Sequence, residues 1–189
     1  MNRLTDAQQP GLVKIVGIQG AIIELLAFFI GTYFMRNYFD LNEINTFTYY
    51  WMAFTVLTGI WECAYVFSKC EVALMGQKLI QTGESTFSKT YNLRMIRPRT
   101  LSLVFYSDYA AWADRLYLTQ KNPWSLVIEG THCLFCALPC ALSLIAMITH
   151  YKIIAEQFMF LGMAWQMMNS VLYISQYLIQ TKQESSPNF

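Results

Sequence analysis

The stretch "TVLTGIWECAYVF", Thr55 to Phe67, sets one carboxylate, Glu62, inside a run otherwise suited to lipid. A second stretch, "NPWSLVIEGTHCLFCALPCALSLIAMI" from Asn122 to Ile148, does the same with Glu129. A helix needs roughly 20 residues to cross a hydrocarbon core of about 30 Å. Four windows are long and apolar enough, about Val13–Met35, Thr46–Phe67, Trp124–Ile148 and Ile153–Ile179. Composition agrees, because 55% hydrophobic residues against 13% charged is far from the balance of a soluble domain. The expected fold is an all-α membrane protein, four transmembrane helices with an interfacial helix in the 69–123 segment. Residues 1–181 form one membrane domain, and 182–189, ending "SSPNF", a polar tail.

A formal charge of +1 with basic residues spread along loops excludes a nucleic-acid partner. With four spans, the N-terminus, the 69–123 segment and the C-terminus share one side. That side carries Lys and Arg at 3, 14, 69, 78, 89, 94, 97, 99, 115, 121 and 182, against Arg36 and Lys152 opposite. By the positive-inside tendency both termini face the cytosol, or the matrix of a mitochondrion. The five cysteines sit mostly inside the spans and are expected as free thiols. "THCLFCALPC" spaces His132, Cys133, Cys136 and Cys140 at helical steps, but no loop gathers two such pairs as in a structural zinc site. Neither a metal nor a cofactor is expected. In the linking segment, "LSLVFYSDYAAWADRLYLTQKNPW" is amphipathic, so Tyr106, Tyr109, Trp112 and Tyr117 are expected at headgroup level.

Residues three and four apart share a helix face, and the polar residues of each span fall on one. The second carries Thr55, Thr58, Glu62, Tyr65 and Lys69; the third Ser125, Glu129, His132, Cys136 and Ser143; the fourth Gln166, Asn169, Tyr173, Gln176 and Gln180. The first carries the small face Gly17, Gly20, Glu24, Ala27 and Gly31, which suits helix packing. Hydroxyls and amides suit packing too, but an acid at bilayer depth costs about 2.5–3.5 kcal/mol and marks a function or a partner. Glu62 and Glu129 are therefore expected to line a shared pocket, with His132 one turn from Glu129 and Gln166 and Asn169 nearby. Burial and a like charge both disfavour ionisation, so one acid is expected to keep its proton. A protonated acid beside an ionised one can protonate a carbon–carbon double bond and stabilise the cation formed. Trp61, Tyr65, Trp165 and Tyr173 are the candidates for cation–π support.

The ordered set "LTGIWECAYVF", "YAAWADRLY", "PWSLVIEG", "LPCALSL" and "QMMNSVLYISQYL" resembles the emopamil-binding protein family, sterol Δ8–Δ7 isomerases of the EXPERA superfamily, over roughly residues 50–180. The resemblance implies that Glu62 and Glu129 are the catalytic acids, with Asp114, Tyr117 and Gln166 in the site and a sterol or other lipid as ligand. The full candidate binding set is Thr58, Tyr65, Asp114, Tyr117, His132, Gln166, Asn169 and Tyr173. Two departures stand out. Thr58 occupies the position of a family histidine, and a threonine cannot shuttle protons near neutral pH. The family's fifth helix, which contributes an asparagine, has no counterpart here; His132 and Asn169 are the residues placed to compensate. The resemblance implies the endoplasmic reticulum. The alternative is an accessory subunit of a larger membrane complex, for example a respiratory one in the mitochondrial inner membrane.

Overall fold

The structure, a computed structural model, describes residues 14–92, 96–119 and 123–180. The described residues are all-α apart from one short ribbon. Its long helices are α1 (Gly17–Tyr38), α2 (Thr46–Val66), α3 (Lys69–Thr82), α4 (Pro98–Trp112), α5 (Trp124–Ile148) and α6 (Lys152–Gln180). The ribbon, β1 (Lys14–Val16) antiparallel to β2 (Thr90–Asn92), pairs Ile15 with Tyr91. It takes the residues expected to begin the first span, so α1 starts at Gly17; β-branched Ile15 and Val16 suit a strand better than a helix start. The tail 182–189 and basic residues Arg3, Arg94, Lys121 and Lys182 lie outside the described residues.

Local chemistry sets the ends of the helices. Asn45 caps α2, its side chain accepting from the N–H groups of Phe47 and Thr48 at 3.0 and 3.3 Å. α3 stops at Gly83, whose φ of +67° is cheap only without a Cβ. α4 begins with Pro98 in its first turn, where a missing N–H removes no helical bond. Inside α5, Pro139 is preceded by a π turn over His132–Ala137, in which the Leu138 N–H bonds the carbonyl of Cys133. A wide turn of this kind satisfies backbone groups that a proline would otherwise leave loose.

Among the described residues two helices, α1 and α5, are long and apolar enough to cross a membrane by length and composition. α2 and α6 form where spans were expected but are more polar, for the reason already visible in their stripes: each turns a row of hydroxyls, amides or acids inward. The 69–123 segment departs further from expectation. It holds two helices, α3 and α4, and α4 is not a surface helix. Tyr106 and Tyr117 are buried, Tyr109 is half-buried, and Trp112 alone of the four rings is exposed. They turn inward because α3, α4 and the turn Arg115–Leu118 close a core of Tyr65, Val72, Leu103, Tyr106, Ala110 and Tyr117.

α2 and α5 meet almost backbone to backbone. A Cβ on Gly59 would lie 2.2 Å from the Cβ of Ala137, so only glycine allows this approach. α1 packs less closely. Its buried face is Gly17, Gly20, Glu24, Thr32 and Arg36, while Ala27 and Gly31, expected on that face, are exposed. The contact is made by larger groups instead: Tyr49 O–H donates to the Thr32 carbonyl at 2.7 Å, and the Arg36 guanidinium lies 5.5 Å over the Tyr49 ring.

Candidate functional site

Glu62 leaves α2 three residues after Gly59, so the close approach to α5 carries its carboxylate against that helix. Its Oε2 meets His132 Nδ1, and His132 Nε2 lies 2.5 Å from Gln166 Oε1 on α6. One imidazole thus links three helices. His132 and Glu62 keep side-chain exposures of only 10% and 11%, enough to reach a ligand but not to be bathed in solvent.

Glu129, three residues before His132 on α5, sits on the same side. Tyr106 O–H donates to its Oε2 at 3.0 Å, and Tyr117 O–H donates to its Oε1. Burial, together with the Glu129 charge, pushes both phenols far above their ordinary pKa, so each acts as a donor. Asp114 acts behind them. Its carboxylate accepts from the Leu116 N–H at 2.9 Å and caps the turn that delivers Tyr117. Burial raises the Asp114 carboxyl above the usual aspartate value, opposed by the bonds from Leu116 and Tyr173.

These groups surround a cavity of about 380 Å³, lined by Glu62, Ile128, Glu129, His132, Gln166, Asn169, Ser170, Tyr173 and Ile174. That volume lies in the ordinary range of small-ligand sites. Six residues expected at the site, Glu62, Glu129, His132, Gln166, Asn169 and Tyr173, are brought together on this lining. Asn169 donates to the Ile128 carbonyl at 3.3 Å, and its buried Oδ1 has no partner among the described residues. Tyr173 and Tyr109 hydroxyls lie 2.5 Å apart and tie α6 to α4.

The other expected residues lie behind the wall. Tyr117 and Asp114 act through Glu129, as above. Tyr65 is fully buried, donates to Ser125 Oγ at 2.7 Å and stacks on Tyr106 at 4.6 Å. Thr58 does not line the cavity. Its hydroxyl donates to the Thr55 carbonyl of its own helix at 3.0 Å, a common way for threonine to satisfy itself within a helix. Of the rings considered for cation–π support, only Tyr173 reaches the lining. Trp165 stacks on Phe135 at 4.7 Å, and Trp61 points to the opposite side, where its Nε1–H donates to Glu24 at 3.2 Å.

Tyr106 is the functional residue that sequence reasoning misplaced. The signal was present in Leu103, Tyr106 and Ala110, a stripe at steps of three and four like those of the spans, but the aromatic density around it suited a membrane surface equally well. Cys140 packs against α6 at Gly162, where an added Cβ would lie 2.9 Å from its Sγ and 3.2 Å from the Cys136 carbonyl. Among the described residues no three His, Cys, Asp or Glu side chains form a metal-sized group. No protein-family profile matches the chain, no curated protein matches it, and no solved structure matches it.

Proposed function

We propose that the chain is an EXPERA-type membrane protein whose cavity receives a sterol-sized apolar molecule that carries or develops positive charge, in the manner of a Δ8–Δ7 sterol isomerase. The observation that carries this reading is the donor and acceptor inventory of the cavity. Glu129 has both oxygens occupied by phenols, and His132 has both nitrogens occupied. Asn169 Oδ1 is left without a partner among the described residues, beside two carboxylates balanced by one imidazole. A site with a spare acceptor and excess negative charge complements a ligand that is a donor, a cation, or both.

The roles of the two acids differ. Glu129, clamped by Tyr106 and Tyr117, is the fixed anion facing a developing cation. Glu62, hydrogen-bonded to His132, handles the proton. His132 on α5 thus stands in for the histidine that Thr58 replaces on α2. Four spans, α1, α2, α5 and α6, fit the exposed surface: Ile153, Phe160, Met167 and Leu178 of α6 are 72%, 67%, 70% and 61% exposed, a surface suited to lipid. Tags at the two ends should then show equal protease accessibility in sealed vesicles; tags on opposite faces would remove the four-span arrangement.

The binding test uses cationic amphiphilic amines, which imitate the charge of the transition state on an apolar body. Glu62→Gln is expected to weaken their binding by about 1.5–3 kcal/mol, roughly ten-fold or more. Conversion of a Δ8 sterol by the wild-type protein separates an isomerase from a non-catalytic binder. A wild-type protein that binds no amine and converts no sterol would defeat the reading.

One observation favours the second reading, an accessory subunit of a larger membrane complex. Only 17% of the spanning window of α1 is buried, which leaves a broad apolar face for another helix. Purification as a stoichiometric complex would support that reading.

A further inference from the structure

We propose that Gln166 is a positioning residue that sets the tautomer of His132, so that Glu62 and His132 share one transferable proton. The inference rests on the acid–base reading given above. A neutral imidazole carries one N–H, and the partner of one nitrogen decides the state of the other. Gln166 Oε1 stands 2.5 Å from Nε2. A carbonyl oxygen accepts only, so Nε2 carries the hydrogen. The opposite neutral tautomer would bring the Nε2 lone pair against the Oε1 lone pairs at that distance.

With Nε2 committed, Nδ1 faces Glu62 Oε2 across a single hydrogen bond that holds a single proton. That proton sits either on the carboxyl, which donates to bare Nδ1, or on the imidazole, which donates to the carboxylate. The two forms interconvert along one bond with no movement of heavy atoms. The proton can therefore leave for one carbon of a ligand double bond, whose π electrons form the new C–H bond and leave the other carbon of that double bond cationic. A proton from the carbon beyond the cationic centre then returns to the pair, its C–H electrons forming the shifted double bond, which closes the cycle without an oxidant or reductant. Glu129 takes no part in this exchange, because both of its oxygens already accept from phenols.

The fold supports the role of Gln166. Gly162, one turn earlier on α6, allows that helix to approach α5 so closely that an added Cβ would lie 3.2 Å from the Cys136 carbonyl. This contact holds the amide within reach of the imidazole.

The chain has two histidines, so His150→Asn leaves His132 as the sole imidazole. Asparagine suits the positive φ of 62° at position 150. The test is nitrogen NMR of imidazole-labelled full-length protein in lipid nanodiscs. On the His150→Asn background, Nε2 is expected to be fully protonated, with Nδ1 either bare or sharing the Glu62 proton. A neutral ring protonated at Nδ1 and bare at Nε2 would overturn the proposal. In Gln166→Leu the two neutral tautomers are expected to mix, whereas Gln166→Glu, which keeps an acceptor, restores Nε2–H. An unchanged ring in Gln166→Leu would also overturn it. Where Δ8-sterol conversion is measurable, Gln166→Leu should lower kcat by on the order of 10²-fold with little change in KM. A protein that converts no sterol yet shows the expected tautomer shift would leave this inference standing while the isomerase reading fell.

Discussion

α4 and α6 both carry aromatic rings and polar residues at helical steps, and the fold uses them in opposite senses. Nine of the fifteen residues of α4 are buried, serine and aspartate among them. Ala155 and Gly162 are the buried residues of α6 among those described, and most of its large apolar side chains are exposed. α4 buries polar groups by satisfying them: Asp108 accepts from the Ser85 hydroxyl at 2.6 Å and the Thr86 N–H at 3.2 Å, and Ser102 donates to the Trp61 carbonyl at 2.6 Å. α6 turns Gln166 and Asn169 to the cavity, while Phe160, Leu161 and Leu178 are exposed. A helix whose polar face points inward and whose apolar face points outward is built for surroundings less polar than its own interior. The linking segment therefore closes a core as a soluble protein does, and the α5–α6 region is finished by what lies around it.

The sharpest break between the two regions should come from equal truncations. Leu103 is 2% exposed and Leu178 is 61% exposed. Leu103→Ala should lower stability by about 2–5 kcal/mol, and Leu178→Ala by less than about 0.5 kcal/mol, read from denaturant melts in one detergent. Equal losses would contradict the division drawn here. Where the linking segment meets the cavity, Tyr117→Phe removes a charge-assisted donor to Glu129 and leaves that oxygen without the phenol. The expected loss is about 1.5–3 kcal/mol, accompanied by altered amine binding, because the segment behind the wall fixes the anion. A variant matching wild type in both measurements would show that α4 and its turn are only a support. Smaller again is Gly59→Ala, whose Cβ would collide with Ala137 and force α2 and α5 apart. Overpacking of this kind costs about 1–3 kcal/mol. Binding should suffer more than melting, since Glu62 follows three residues later; a Gly59→Ala protein with intact binding would show that the close approach serves packing alone.

Much of the site was legible because a carboxylate inside a long apolar run is rare and its helix neighbours follow at fixed steps. Spacing places Glu129 with His132, and Gln166 with Asn169, each pair on one helix face; the cost of buried acids and the resemblance point to one pocket for these faces and Glu62. Thr58 could not be excluded that way, since a hydroxyl satisfied by its own backbone and one turned to a ligand share the same position in a stripe. Tyr106 could not be included, because an aromatic ring gains free energy both at a membrane interface and in a core. Which gain prevails depends on whether another element covers it, and the cover here is the turn that brings Tyr117 across from the far end of the segment.

Local rules suffice for what lies within one helix. The apolar runs, the Asn45 cap, the stop at Gly83 and the face each polar residue occupies follow from side-chain chemistry within a turn or two, and so were determined by the sequence itself. The pairing of residues far apart in the chain was not. That Glu62 meets His132, seventy positions on, that Glu129 is held by two phenols of the linking segment, and that Trp61 turns to Glu24 instead of the cavity were decided by the tertiary structure. Each depends on how closely two helices approach and on their rotation about their own axes. Those quantities come from packing summed over whole faces, with Gly59 and Gly162 setting the distances, and no short window of sequence contains both sides of such a contact.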